Sequence, residues 1–161
     1  MKTSSTHMLA ALVLAVCIPV VQAQTANPDF HSQADLAARS QQLIERAQKN
    51  AKGSGNSTLA TYTNCVLQFN VKTKSGIAEM HAHSSDLIIV TDGEATIVTG
   101  GTIPDSTIES EGETRGVTIV GGHEQKVAKG DVLYIAPNTP HQINIAPGKT
   151  VSFLNAKVTQ P

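Results

Sequence analysis

The stretch MHAHSSDLIIVTDGEATIV, residues 80–98, places two histidines one residue apart and a carboxylate shortly after them, at the head of the apolar run Leu87, Ile88, Ile89 and Val90. On a strand, side chains of residues i and i+2 project from the same face, so His81 and His83 are expected to aim together. A metal held by two imidazoles needs neutral ring nitrogens and a further ligand, for which a carboxylate also balances charge. Asp86, after a turn of two serines, is expected to return to the same point. Glu79 shares the parity of the two histidines; it either points inward as a general base or spare ligand, or sits at a solvated strand end. Taken alone, such a pair also describes ordinary exposed polar residues.

A second stretch, GDVLYIAPNTPHQI at 130–143, reads as turn, apolar strand, proline-fixed turn, then His141 entering another strand. The prolines restrict the loop and fix the approach of that imidazole. Between and around these stretches the pattern is one of short strands. They are expected at 59–73, 77–83, 87–91, 94–99, 117–120, 124–127, 131–135, 142–146 and 151–158, with turns at Ser75-Gly76, Asp92-Gly93, the glycine pairs 100–101 and 121–122, Lys129-Gly130 and Pro147-Gly148. Twelve glycines and seven prolines in 161 residues fit this reading. Many antiparallel strands without helical crossovers predict an all-β sandwich or barrel. The excursion 102–116 carries Asp105, Glu109, Glu111 and Glu113 against Arg115; it reads as a solvated loop, with a rim over a pocket as the other reading.

Residues 1–23 stand apart. Lys2, the apolar run Met8–Val21 and the small residues of Val21-Gln22-Ala23 read as a cleaved export signal, leaving Gln24 as the first mature residue in a periplasmic or secreted protein. A membrane anchor is the competing reading, but the run is shorter than the roughly 20 residues a span needs and Pro19 breaks it. A lipoprotein signal at Cys17 is a near miss. Cys65 is then the one cysteine of the mature chain, either a small core residue or a thiol lacking a visible base. Residues 24–57 form a lead-in with an amphipathic helix at about 32–52, capped by Ser32 with Asp35 three residues on. Its stripe is Leu36, Leu43, Ile44, Ala47 and Ala51, and Gly53–Ser57 is expected as a flexible connector to a barrel spanning 58–161.

Taken together, the paired motifs resemble those of the cupins, small double-stranded β-helix or jelly-roll barrels. Gly76, His81, His83, Asp86 and Gly93 match the first cupin motif, and Gly130 and His141 keep the interval of the second. The spacing from Gly76 to His81 is one residue short, and Asp86 stands where the family has Glu. Ala136 takes the proline position with Pro137 beside it, Asn138 replaces a glycine, and Asn144 comes one residue early. The resemblance implies that His81, His83 and His141 are imidazole ligands to one divalent transition metal, whether Fe, Mn, Ni, Cu or Zn. It makes Asp86 either the carboxylate ligand or a partner that orients a ligand histidine.

Such a centre can polarise a carbonyl, generate hydroxide, or activate dioxygen where the metal is redox active. The expected function is a metal-dependent enzyme on a small organic substrate: an oxygenase of dioxygenase type, or an isomerase or lyase of a small acid or sugar. The alternative is a non-catalytic barrel that holds a metal or small ligand. Net charge is −1 and neither sign gathers into a stripe, which argues against a nucleic-acid surface. No membrane association is expected after signal cleavage, and pairing of two copies through sheet edges is expected from the resemblance. His31 and His123 read as surface residues, Tyr134 and Phe153 as packing groups.

Overall fold

The computed structural model describes residues 30–110 and 112–160. The expected export signal and Glu111 lie outside the described residues. One helix, α1 (Gln33–Lys49), precedes ten strands: β1 (Ser54–Thr61), β2 (Cys65–Lys72), β3 (Ala78–His81), β4 (Ser84–Thr99), β5 (Thr107–Ser110), β6 (Glu113–Gly116), β7 (His123–Ala128), β8 (Val132–Ile135), β9 (His141–Asn144) and β10 (Val151–Thr159). Their pairings are antiparallel.

The pivot is β4. Residues 87–91 and 94–99, expected as two strands around an Asp92-Gly93 turn, form this one strand. Its first half pairs with β10 and β8, and its second with β7 and β9. A single strand therefore runs through two sheets, β1-β2-β10-β4-β8 and β7-β4-β9-β3-β6-β5. The bend between them is Gly93, at φ +77°, where an added Cβ would lie 2.0 Å from the Thr150 carbonyl oxygen. The sequence signal for a turn was a signal for a kink that the sheets continue through. Gly93→Ala combines left-handed strain with a backbone clash, so it is expected to cost at least about 2 kcal/mol, read as a lowered denaturation midpoint.

The space between the sheets is filled by Ile88, Val90, Ala95, Ile97, Val127, Ile135, Ile143, Ile145, Val151 and Phe153. These come from alternate positions of β4 and β10 and from facing strands, as a two-sided sheet requires. The outer face of the first sheet holds a second cluster, in which Phe69 and Val71 of β2 meet Leu43 and Ala47 of α1. Helix α1 thus docks on the domain's own sheet. Its start is as expected, since Ser32 Oγ accepts from the Asp35 N–H at 3.1 Å and donates to its carboxylate at 2.6 Å. Ala51 lies beyond the helix end and is exposed.

Four further expectations are corrected. The connector Gly53–Ser57 largely belongs to β1, paired with β2 along its length. Gly55 is needed there, because a Cβ would lie 2.6 Å from the Leu43 carbonyl oxygen of the helix. Residues 59–73 are the two arms of a hairpin and not one strand. Residues 117–120 form no strand and pair with Thr102 through an isolated bridge at Val120, whereas the excursion 102–116 supplies β5 and β6, which extend the second sheet past β3. Period-2 alternation there is carried by charged residues, so these strands have no apolar pattern.

Candidate metal centre

At one end of the barrel, three segments converge. In the β3–β9 pair, Glu79 lies directly opposite His141, so both side chains leave the same face. His81 follows two residues later on that face. The loop before β9 is tied to the end of β3: Asn138 donates its N–H to the His81 carbonyl at 2.8 Å. Asn138 holds φ +59°, a left-handed conformation that Asn tolerates better than most residues, and this explains how it stands where the motif has glycine. The tether brings the two imidazoles to 5.1 Å between ring centroids.

Ligand-capable atoms of Glu79, His81 and His141 all lie within 4.8 Å of one another. Asp86, near the start of β4, closes the group from the opposite sheet. Its Oδ2 is 3.4 Å from His81 Nε2 and 3.6 Å from His141 Nε2. His141 Nε2 is also 3.9 Å from Glu79 Oε1. The His141 Nδ1–H donates to the Thr139 carbonyl at 3.1 Å, and because a carbonyl can only accept, Nε2 is left with its lone pair facing the cluster. His81, Asp86 and His141 are each no more than 5% exposed, while Glu79 is half-buried.

His83 is the expected member that does not join. Strand β3 ends at His81, and the backbone bends there: Ala82 N–H donates to the Gly112 carbonyl, and Gln160 N–H donates to the His83 carbonyl. The alternation that would have aligned His83 with His81 stops, and its ring is exposed against Gly112.

Five residues the sequence reading did not place here complete the surroundings. Glu113 Oε2 lies 2.7 Å from His81 Nδ1 and accepts from Arg115 Nη2 at 2.9 Å. Arg115 Nη1 donates to Glu79, and its Nε is 3.6 Å from Glu109. From β10, Asn155 donates to Asp86 Oδ1 at 2.9 Å, and Lys157 Nζ lies 3.9 Å from the same atom. The cross-strand pairs His81 with Glu113, Glu79 with Arg115, and Asp86 with Lys157 are the geometric reason. Charge alternation in Glu113-Thr114-Arg115, read at period 2, was the available signal.

Burial would raise the Asp86 carboxyl, but the contact with His81, the charge of Lys157 and the hydrogen bond from Asn155 outweigh it and hold the group at about 2. Burial pushes the His141 imidazole down, against the raising effects of the Thr139 carbonyl, Glu79 and Asp86. Both shifts favour the forms a cation needs, an ionised carboxylate and a neutral ring. Because the folded Asp86 lies below its ordinary 3.8, it stabilises the metal-free fold above that value, and this contribution is lost as pH falls toward 2. It amounts to about 2 kcal/mol. Denaturant midpoints in chelator at neutral and acid pH check this, with Asp86→Asn expected to lose that part of the acid sensitivity.

The donor set fits a divalent ion. Glu79, His81 and His141 bring three ligand atoms together with Asp86 against both imidazoles, and among the described residues Glu79, Asp86, Glu109 and Glu113 pair with two cations, Arg115 and Lys157. The negative excess is what a divalent cation would neutralise.

No family model and no curated protein matches the sequence. Among solved structures, the chain is similar to a protein with a double-stranded β-helix domain from Klebsiella pneumoniae, with 15% identity and TM-score 0.50 over 68% of this chain and 79% of that one. It is also similar to the polyketide cyclase RemF from Streptomyces resistomycificus, with 20% identity and TM-score 0.48 over 65% of this chain and 64% of that one. A third is a cupin 2 conserved barrel domain protein from Rhodopseudomonas palustris, with 21% identity and TM-score 0.46 over 65% and 60%. The chain spans less than two thirds of the length of the last two. With its two-sheet topology and one leading helix, the chain has the double-stranded β-helix fold of the cupins. Likeness at this identity speaks to fold, and the chemistry must be argued from the site.

Proposed function

We propose that this chain is an exported metal-dependent enzyme acting on a small organic substrate. The observation that carries the reading is the convergence of Glu79, His81 and His141, with Asp86 beside them, on one point at the end of the barrel. A divalent ion there supplies a Lewis acid and, if redox active, a route to dioxygen chemistry. The chain's own residues do the rest. His81 and His141 present ring nitrogens, and Asp86 contributes fixed negative charge. Half-buried Glu79 is the carboxylate open to a substrate and the candidate general base. Oxygenase, isomerase and lyase chemistry on a small acid or sugar all fit this arrangement.

One observation favours a second reading, a barrel that holds metal or ligand without turnover. Glu79 is already engaged by Arg115, and in that state it is a poor proton acceptor. The two readings separate when the protein, loaded in turn with Fe, Mn, Ni, Cu and Zn, is offered small organic acids and sugars, with dioxygen uptake and product formation recorded. Turnover that disappears in His81→Ala supports the enzyme. Stoichiometric metal with no turnover on any loading contradicts it and leaves the binding barrel.

Export and self-association belong to the same proposal. The intact mass of protein recovered from the periplasm or medium should correspond to a chain starting at Gln24; recovery of the uncleaved chain in the cytosol would count against export. Leu87, Ile89, Val132 and Tyr134 expose apolar area on the outer face of β4 and β8, which supports pairing of two copies. Light scattering at micromolar concentration would give twice the chain mass, and a monomer would refute pairing.

A further inference from the structure

We propose that Glu113 is a positioning residue of this centre, which fixes the His81 tautomer so that Nε2 is the nitrogen offered to the ion; the proposal rests on the metal-binding reading above. His81 and Glu113 are direct cross-strand partners on β3 and β6, and their side chains meet at 2.7 Å between Nδ1 and Oε2. An ionised carboxylate is an acceptor only, so the bond it makes places the proton on Nδ1. Glu113 is itself held, because the same oxygen accepts from Arg115 Nη2 at 2.9 Å while the other arm of that guanidinium grips Glu79. One arginine therefore braces both the carboxylate beside His81 and the candidate carboxylate ligand.

His141 offers an internal comparison. Its Nδ1 is occupied by the Thr139 carbonyl, a backbone acceptor two residues before it and separate from Glu113. The two rings thus have the same handedness of use: each has Nδ1 satisfied by an acceptor outside the cluster, and each directs Nε2 toward Asp86 Oδ2. An ion pair serving only to hold β3 to β6 would have no need to match the orientation of a ring on β9. Matching is what two ligands to one ion require, because an imidazole coordinates through whichever nitrogen lacks the proton. The β5–β6 hairpin, legible in sequence only as an acidic excursion, becomes a working part of the site.

The test uses the metal-free full chain, with residues 24–161 as a parallel sample, labelled with 15N at histidine and recorded at alkaline pH, then titrated with Zn²⁺ alone. In the wild type, His81 should show a protonated Nδ1 and an unprotonated Nε2. Glu113→Gln, whose amide can donate as well as accept, should shift His81 to the other tautomer or a mixture while the His141 signals stay in place. Its Zn²⁺ affinity should fall about 10- to 100-fold, with partial recovery in Glu113→Asp. A wild-type His81 carrying its proton on Nε2 would overturn the proposal, whatever the variants do. So would Zn²⁺ affinity and tautomer both unchanged in Glu113→Gln. Absence of Zn²⁺ binding in the wild type would sink the metal reading instead, and the metal-free tautomer comparison would still decide the role of Glu113.

Discussion

His141→Ala is expected to weaken binding of a single divalent ion by more than about 100-fold, because loss of an outer hydrogen-bond partner to a ligand already costs 10- to 100-fold and this change removes the ligand itself. The ring is 3% exposed and lies between Asp86 and Glu79, so no neighbouring side chain can take its place without moving across the barrel end. The fold should survive, since the cluster sits at the end of the barrel and the apolar layer below it does not include His141. Calorimetric titration with Zn²⁺ reads the effect directly. His83→Ala belongs in the same experiment as a control with the opposite expectation. Its ring is exposed and turned away, so the affinity should not change. Equal losses in the two variants would mean that His83 swings into the site on binding, and the geometry described above would then be that of a different state.

Phe69→Ala is expected to cost about 3–5 kcal/mol, the range for removing a large buried ring that its surroundings cannot fill. Phe69 is 1% exposed and joins Leu43, Ala47 and Val71, with Leu36, Ile44, Leu59 and Leu154 packed around them. This cluster is the only apolar attachment of α1 among the described residues, and an isolated amphipathic helix of this length is marginal in water. Its loss should therefore appear as a fall of roughly 10–20 °C in the thermal midpoint together with a loss of helical ellipticity ahead of the main transition. Metal affinity should be nearly unchanged, because α1 covers the outer face of the first sheet and the site opens between the two sheets. A variant that lost metal binding as well would show that helix docking and site geometry are coupled.

What the sequence disclosed, and what it hid, divides along physical lines. Short apolar segments such as 87–91 and 151–158, separated by Gly and Pro turns, marked the barrel, and Ser32 with Asp35 marked the helix start, because burial and capping leave a local imprint. The Asp92-Gly93 pair was misleading because a glycine at positive φ serves a tight turn and a strand kink equally well; only the pairing of β4 with four neighbours distinguishes them. Gly53–Ser57 looked like a linker because a strand against a helix needs a small residue at Gly55. For the site, His81, His141 and Asp86 were legible from motif spacing, and Glu79 from parity. His83 was assigned by a periodicity that the backbone abandons one residue earlier. Glu113 and Arg115 left only a period-2 charge alternation, and their partners, like that of Lys157, are set by cross-strand register, which couples positions far apart in the chain.

The most direct test of the central claim, that one ion is held at the meeting point of β3, β4 and β9, is anomalous diffraction at the absorption edge of the metal in crystals of the loaded protein. A single peak is predicted about 2.0–2.2 Å from both His81 Nε2 and His141 Nε2, with a carboxylate oxygen of Glu79 or Asp86 completing the contact. A peak at His83, His31 or His123, or none at this cluster in protein shown to carry stoichiometric metal, would contradict it.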